Sequence, residues 1–439
     1  MKHNINTIYL SAEHNEFDVL KDTHKIKDML LQYKDPLKTP KNQNNSLKSY
    51  ANCIFLESIT IPENIEEITA YCFYNCRSLK SIEIPYGVSK ISKYAFANCS
   101  FLESINIPDS IIEIDEYAFA NCKSLKSITL PSKLKKLGNH AFYECTSLYS
   151  IIIPKSQRKI ETSTFENCTS LQRIVLPNTL VYIGISAFAD CESLKNIIIP
   201  NSVKIICPET FYNCTSLERI NLSKKIRKIQ FSAFENCSSL SSVTLPKRVR
   251  EICCSSFSNC VNLEKIVLPK KVITIGGHAF SNCLSLKSIV LPDSLLSIGK
   301  SIFENCTSLQ SITLPNSIKG IPEKAFYNCT TLSTVNLSKN VRKIESEAFC
   351  RCKSLKSIII PKNVLSLGNE VFRRCSSLEE ITFYNRITYI GNKSFHYCLN
   401  LQTLNFYGTL KEWKKICPSD LSQQSVFTEC NLLERKLKD

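Results

Sequence analysis

A β-rich repeat solenoid, a stack of short coils joined through parallel strands, is the fold class that the sequence predicts. The first observation behind it is a cysteine that recurs every 23 residues, sixteen times, from Cys53 to Cys398. A fixed period of this length is typical of solenoids, because one repeat cannot bury its own apolar side whereas stacked repeats can. Positions within the repeat are counted from this cysteine as zero.

The second observation is an alternation within each repeat. Positions six and eight are apolar and position seven is mostly polar, as in Ile105-Asn106-Ile107. Such alternation predicts a strand with one buried face. The third observation is a proline that usually follows at position nine, where it removes a backbone donor and ends the strand.

The remaining positions complete one coil. Position three is leucine throughout, and positions twelve and fifteen are aliphatic, as in Val88 and Ile91. This pair predicts a second short strand or a helical turn on the opposite wall. Position twenty is phenylalanine in fifteen repeats, from Phe73 to Phe395, within an Ala-Phe-x-Asn-Cys segment that we expect to turn the chain toward the next strand.

The motif Leu-x-x-Ile-x-Ile-Pro-x-x-Val-x-x-Ile-x-x-x-Ala-Phe-x-Asn-Cys recurs in register over about residues 50 to 416. It resembles the BspA-type branch of the leucine-rich-repeat proteins. That resemblance implies a right-handed parallel solenoid that binds proteins, often as a surface adhesin or antigen of anaerobic bacteria and parasitic protists. The stretch 406–416 is similar to the family's terminal repeat, in which Trp413 replaces the position-fifteen isoleucine and would close the open end of the core.

We expect one solenoid of about 16 repeats over residues 50–416, an N-terminal cap and linker at 1–49, and a C-terminal cap or tail at 417–439. Residues 1–35 do not follow the repeat, and their apolar spacing predicts an amphipathic helix or a pair of helices. We interpret this segment as a helical cap over the first coil. The alternative is a small recognition module for a partner.

The location of the protein stays open between the cell surface and the cytoplasm. The N-terminus lacks a signal-peptide pattern, since residues 5–10 are too short and too polar for its apolar segment. The sequence has no run of 18 apolar residues, so no transmembrane helix is expected. The family resemblance implies the cell surface, whereas the missing signal peptide and free thiols favour the cytoplasm.

Cysteine is abundant, with 23 residues, of which sixteen share position zero. We expect these sixteen to form a ladder of small, buried, free thiols along one edge of the solenoid. Disulfides between adjacent coils are the alternative, because Cα atoms about 5 Å apart lie within disulfide range. The asparagine that often precedes the ladder cysteine, as in Asn75 and Asn98, is expected to bond the turn backbone.

The formal net charge is +16, and part of it clusters in the turn after the proline. Stacking would align these cations into a basic stripe, which is either a solvated flank or a site for a polyanion. An acidic protein or an anionic glycan would fit such a site. Nucleic acid is not expected, because no aromatic residues interleave with the cations. The densest group consists of Lys224, Lys225, Arg227, Lys228, Lys247, Arg248, Arg250, Lys270 and Lys271.

Position seven faces away from the predicted core and is nevertheless apolar in several repeats. Neighbouring apolar side chains on a stacked sheet would make small exposed patches, which we interpret as a candidate protein contact. The alternative is that these residues only supply β-propensity. The residues are Ile152, Val175 and Ile198, then Val267 and Val290, and Ile359.

The sequence offers no catalytic, cofactor-binding or metal-ligating residue that stands out from the repeat. The ten glycines form no phosphate-binding loop, and His140 and His278 share one repeat position, which indicates a scaffold role. We therefore predict a non-enzymatic, cofactor-free protein-binding repeat protein. Surface adhesion to host or cell-surface proteins is the first hypothesis, and an intracellular interaction scaffold is the alternative.

Overall fold

A computed structural model describes residues 49–416 and 429–432 of the chain. The chain divides into two compact units, Met1–Val203 and Lys204–Asp439. The described part of each unit is a parallel β-solenoid built from the same 23-residue coil. The predicted helical cap over residues 1–35 lies outside the described residues, and so does the predicted C-terminal cap or tail at 417–439 except for Glu429–Leu432.

The front sheet is formed by the strands that the alternation predicts, at positions five to seven. Ser81, Ile82 and Glu83 pair in parallel with Ser104, Ile105 and Asn106. All these partners are 23 residues apart, so equal repeat positions lie side by side. The front strands of the first unit are Ser81–Glu83, Ser104–Asn106, Ser150–Ile152, Arg173–Val175 and Asn196–Ile198. Those of the second unit are Arg219–Asn221, Ser242–Thr244, Lys265–Val267, Ser311–Thr313, Thr334–Asn336, Ser357–Ile359, Glu380–Tyr384, Thr403–Tyr407 and Glu429–Leu432.

The wall opposite the front sheet consists of short strands at positions fourteen and fifteen. Of the two predicted alternatives, a second short strand is therefore correct and a helical turn is not. Lys90 and Ile91 pair with Glu113 and Ile114, and both isoleucines are fully buried. The back strands of the first unit are Glu67–Ile68, Lys90–Ile91, Glu113–Ile114, Lys136–Leu137, Lys159–Ile160 and Tyr182–Ile183. Those of the second unit are Ile205–Ile206, Lys228–Ile229, Glu251–Ile252, Thr274–Ile275, Ser297–Ile298, Gly320–Ile321, Lys343–Ile344, Ser366–Leu367 and Tyr389–Ile390.

A third wall of turns connects the back strand to the next front strand. Positions eighteen and twenty-two adopt positive φ, for example 57° at Tyr94 and 63° at Asn98. Asparagine tolerates this left-handed conformation better than most residues, which explains its frequency before the ladder cysteine. The turns also bond one another, since the Phe73 N–H donates to the Ala95 carbonyl at 2.8 Å.

Several asparagine side chains of this wall bond one another, whereas the sequence suggested a bond to the turn backbone. Asn259 Nδ2 donates to Asn236 Oδ1 at 2.8 Å, and Asn282 Nδ2 donates to Asn259 Oδ1 at 2.7 Å. In the next two coils, Asn305 Nδ2 donates to Asn282 Oδ1 at 2.7 Å, and Asn328 Nδ2 donates to Asn305 Oδ1 at 2.9 Å. Repetition of one residue at one position has therefore produced a side-chain ladder along the second unit.

The core is a set of aligned columns of identical side chains. In the first unit, the rings of Phe73 and Phe96 stack with centroids 5.2 Å apart, and in the second unit those of Phe211 and Phe234 are 5.5 Å apart. All fifteen position-twenty phenylalanines are at most 1% exposed. This column and the buried leucines of position three contribute hydrophobic stabilisation in every coil.

The ladder cysteines are buried free thiols. Cys99 Sγ donates to the Phe73 carbonyl at 3.1 Å, and the same contact recurs in most coils, as between Cys260 and Phe234. Burial raises the pKa of Cys99 to about 12. The thiol therefore stays neutral and satisfies a backbone carbonyl, which a disulfide sulfur could not do.

The C-terminal end of the second unit departs from the repeat. The helix α1, Leu410–Ile416, begins with a capping box in which Glu412 N–H donates to Thr409 Oγ1 and Thr409 N–H donates to Glu412 Oε2. Trp413 lies on this helix, 7% exposed, with its ring 5.3 Å from that of Phe406 and 6.2 Å from that of Phe383. Trp413 therefore packs on Phe383 and Phe406 from a helix rather than from a position-fifteen strand.

Candidate functional site

The candidate site is a basic groove in the second unit, made by Lys204, Lys225, Arg227, Arg248, Arg250 and Lys271. These residues occupy positions eleven and thirteen, between the end of the front strand and the back strand. A recess of about 450 Å³ is lined by Lys204, Ile205, Ile206, Lys225, Arg227, Lys228, Gln230 and Arg248. An adjoining recess of about 350 Å³ is lined by Arg227, Arg248, Arg250 and Lys271.

The backbone fixes the spacing of these cations. Arg250 N–H donates to the Arg227 carbonyl at 2.9 Å, and Ile273 N–H donates to the Arg250 carbonyl at 2.7 Å. Successive residues of one column are therefore separated by one strand spacing, about 4.8 Å. Position eleven supplies a second column, which consists of Lys225, Arg248 and Lys271. The solenoid thus converts a sequence pattern into two parallel rows of positive charge.

Few carboxylates compensate these charges. Lys228 pairs with Glu251 at 2.9 Å on the neighbouring back strand. Four cations of the groove have no ion-pair partner within the described residues, and their side chains are exposed. These four are Arg227, Arg248, Arg250 and Lys271. Two unit charges one strand spacing apart repel by about 1 kcal/mol at the dielectric constant of water. The clustering therefore does not stabilise the fold.

The structure brings together six of the nine cations that the sequence singled out. The predicted cations that line the two recesses are Lys225, Arg227, Lys228, Arg248, Arg250 and Lys271. The position-ten residues Lys224, Lys247 and Lys270 are exposed but line neither recess. Sequence reasoning missed Lys204, Ile205, Ile206 and Gln230. A signal for Lys204 existed, since it occupies position thirteen, like Arg227 and Arg250.

The apolar patch of the first unit consists of Ile152, Val175 and Ile198. Their exposed fractions are 68%, 53% and 70%, which confirms that position seven faces away from the core. Ile152 lies opposite Val175 in the parallel register. Position seven is exposed in the second unit as well, at Val267, Val290 and Ile359.

Chemical groups suited to catalysis are sparse in the described part of the chain. No cluster of three or more His, Cys, Asp or Glu residues there has an arrangement that could hold a metal ion. His140 stacks on Tyr117 with ring centroids 4.3 Å apart, and burial lowers its pKa. His278 occupies the same repeat position, and its Nδ1 lies 3.9 Å from Oε2 of Glu304. Both histidines therefore sit in the turn wall as members of side-chain columns.

These features define a leucine-rich-repeat solenoid, a class of protein whose families serve protein interaction rather than catalysis. A profile described as "BspA type leucine rich repeat region (6 copies)" matches residues 45–172, 135–263, 250–375 and 297–432. These matches together span residues 45–432, and the chain belongs to the BspA-type leucine-rich-repeat family. None of the helices in the described segments is long and apolar enough to cross a membrane.

Several solved structures are similar to this chain. A leucine-rich-repeat protein from Bacteroides ovatus is 27% identical, with a TM-score of 0.59 over 92% of this chain and 100% of that one. A leucine-rich cell surface protein from Faecalibacterium prausnitzii is 23% identical, with a TM-score of 0.46 over 90% and 96%. The pneumococcal vaccine antigen PcpA is 18% identical, with a TM-score of 0.48 over 91% and 96%. The first likeness supports the fold. Among curated proteins no relative matches.

Proposed function

We propose that this protein is a non-enzymatic recognition protein that binds an acidic surface of a partner protein through the basic groove. The observation that carries the proposal is the recess lined only by Arg227, Arg248, Arg250 and Lys271. Cations that repel one another on adjacent coils are stabilised when a partner brings carboxylates to them. Backbone bonds between the coils, such as Arg250 N–H to the Arg227 carbonyl, fix the positions from which these side chains extend.

Arginine suits this role better than lysine. Its planar guanidinium presents a fixed fork of donors that matches a carboxylate in a bidentate manner. Arg227, Arg248 and Arg250 come from two adjacent coils, so a partner with carboxylates at similar spacing can bind several forks at once. Acidic side chains on one face of an extended strand repeat at about 6.7 Å, which spans one to two strand spacings of the groove.

The apolar patch at Ile152, Val175 and Ile198 is the second contact surface in this proposal. Three exposed branched side chains in adjacent coils give a flat apolar area on an otherwise polar sheet. Such an area contributes affinity through burial, whereas the basic groove contributes association rate and specificity. The patch and the groove belong to different units, and each supports binding on its own.

A salt titration tests whether the basic groove binds its partner through charge. The full chain is immobilised, and its binding to poly-glutamate, which stands in for an acidic protein surface, is measured at increasing salt. We expect the affinity to fall steeply with salt, because exposed charges are screened within about 10 Å at about 0.1 M salt. An affinity for poly-glutamate that does not change with salt would contradict the proposal of an acidic partner. An equal affinity for uncharged poly-glutamine would contradict it too.

Surface adhesion is the version of this function that the family resemblance implies. A scaffold inside the cell is the alternative, and the buried neutral thiols of the ladder are compatible with a reducing compartment. Antibody labelling of intact and permeabilised cells separates the two. Labelling of intact cells supports the adhesin, whereas a signal that requires permeabilisation supports the scaffold.

A further inference from the structure

The repeat changes its chemistry at position nine near the C-terminus. This position is proline in twelve of the sixteen repeats, serine in two, and tyrosine in the last two, Tyr384 and Tyr407. Tyrosine keeps the backbone N–H that proline lacks and also favours strands, so the front strand can continue. The strands Glu380–Tyr384 and Thr403–Tyr407 are accordingly five residues long, and Tyr384 pairs with Tyr407 at their ends. The two serine repeats keep the N–H as well, but their strands Arg219–Asn221 and Thr334–Asn336 stay three residues long.

The two tyrosines line a recess that is separate from the basic groove. Its volume is about 430 Å³, within the range of about 300–1,000 Å³ that is usual for small-ligand sites. The rings stack with centroids 5.0 Å apart and an angle of 11° between their planes. The full lining consists of Lys362, Asn363, Tyr384, Asn385, Arg386 and Tyr407, and it shares no residue with the groove.

The polar groups of this recess have spare bonding capacity. Arg386 Nη1 donates to Asn363 Oδ1 at a long 3.4 Å, which leaves most guanidinium donors available. Among the described residues, neither tyrosine hydroxyl has a hydrogen-bond partner, and neither Lys362 nor Arg386 has a carboxylate partner. The lining itself contains no carboxylate. Two cationic, two amide and two tyrosine residues therefore line one small volume that contains no carboxylate.

We propose that this recess binds a carboxylated sugar, such as a uronic acid. The carboxylate would bind Arg386 and Lys362, because charge-assisted bonds to a guanidinium are the strongest that the lining offers. The sugar hydroxyls would bond the tyrosine hydroxyls and the asparagine amides, each of which can donate and accept. The stacked rings would supply apolar contact for the C–H groups of the sugar.

Other small ligands use only part of this set. A neutral sugar leaves both cations without a partner, and inorganic phosphate leaves the paired tyrosines without a role. The uronate could be a free sugar or the terminal residue of a glycan chain, and both present the same carboxylate and hydroxyls. Uronate binding in this recess does not require the protein partner proposed for the basic groove, because the two sites share no residue.

The first experiment is a calorimetric titration of the full chain with sodium glucuronate, with glucose and with inorganic phosphate. We expect saturable binding of glucuronate, and binding of both other probes weaker by at least about tenfold. A second titration with a glucuronate-ended oligosaccharide identifies the source. Tighter binding than the monosaccharide indicates a glycan terminus, and equal or weaker binding indicates the free sugar. Glucose or phosphate that binds as tightly as glucuronate overturns the proposal, as does no saturable glucuronate binding.

Variants assign the binding to the recess. Arg386→Gln should weaken glucuronate binding by about tenfold or more, because it removes the charge but keeps polar donors. Tyr384→Phe removes one hydroxyl with the ring retained and should weaken glucuronate binding by a smaller factor. The control is the double variant Lys133→Gln and Lys135→Gln, which removes two exposed cations of the first unit outside both recesses and should bind glucuronate like the unaltered chain. If Arg386→Gln, shown to be folded by circular dichroism, binds glucuronate unchanged, the recess is not the site.

Discussion

The side-chain amide of Asn282 donates a 2.7 Å hydrogen bond to Oδ1 of Asn259, the residue at the same position one coil earlier. Asn282 also accepts a 2.7 Å bond from Asn305 and holds a φ of 59°. One residue type therefore meets two requirements, left-handed backbone and side-chain bonding on both sides.

Removal of Asn282 separates these two requirements. Asn282→Gly keeps the left-handed backbone at little cost and loses the two side-chain bonds, each worth about 1 kcal/mol. Asn282→Ala loses the same bonds and adds a left-handed penalty, so it should unfold more easily than the glycine variant by about 1 kcal/mol. Urea melts of both variants provide the measurement. Equal stability of the two would show that the backbone conformation does not select asparagine.

The phenylalanine column should respond strongly and locally to truncation. Phe234 is 1% exposed and stacks between Phe211 and Phe257, at 5.5 and 5.3 Å. Phe234→Ala should reduce the free energy of unfolding by about 3–5 kcal/mol, because it leaves a cavity that neighbouring coils cannot fill. Coupling in solenoids is mainly between neighbours, so hydrogen exchange should increase most in the adjacent coils. An unchanged urea midpoint would contradict the assignment of position twenty to the core.

The thiol ladder makes stability depend on alkaline pH. The pKa of Cys99 is raised to about 12 by burial, whereas an unfolded thiol ionises near about 8.5. The stabilising contribution is therefore complete below about pH 8.5 and is lost as pH rises toward about 12, since only the unfolded state releases its proton in that window.

Comparison with Cys99→Ala isolates this effect from the titration of lysines. The stability advantage of the unaltered chain over the variant should shrink by about 2 kcal/mol between about pH 8 and about pH 10. Urea melts at several pH values measure it. A constant advantage across this range would mean that the thiol ionises equally in both states.

Thiol reactivity distinguishes one cysteine from the ladder. Cys254 is exposed, whereas the other cysteines within residues 49–416 are buried. A thiol reagent should label Cys254 rapidly in the native protein, and the variant Cys254→Ser should lack that phase. In urea, the reagent should label all 23 thiols of the unaltered chain. Rapid native labelling of ladder cysteines, identified by peptide mass, would contradict their burial.

Much of the fold was predictable because the period is exact. Positions three, six and twenty were correctly assigned to the core, and position seven was correctly assigned to the surface. The back strands were not resolved from a helical turn, since a two-residue strand such as Lys90–Ile91 is too short to show a periodicity. The partners of Asn282 were missed because they lie in other coils, at a distance of one full repeat.

The candidate site was predictable in composition but not in shape. Repetition of Arg227 and Arg250 at one position predicted a row of charge, and stacking confirmed their alignment. The recesses depend on which side chains border an open volume, which no linear pattern encodes. The recess at Tyr384 had a visible sequence signal, the loss of the repeat proline, whose consequence required the register of the two long strands.

The central claim, that the basic groove exists for binding, is tested most directly by a pair of charge-matched double variants. Arg227→Gln with Arg248→Gln removes two cations from the groove, and Lys339→Gln with Arg342→Gln removes two exposed cations from elsewhere in the same unit. Binding of poly-glutamate is measured for both at one salt concentration. We predict that the groove variant loses about tenfold or more in affinity for poly-glutamate and that the matched variant loses much less. Equal losses would contradict it, because binding would then follow net charge alone.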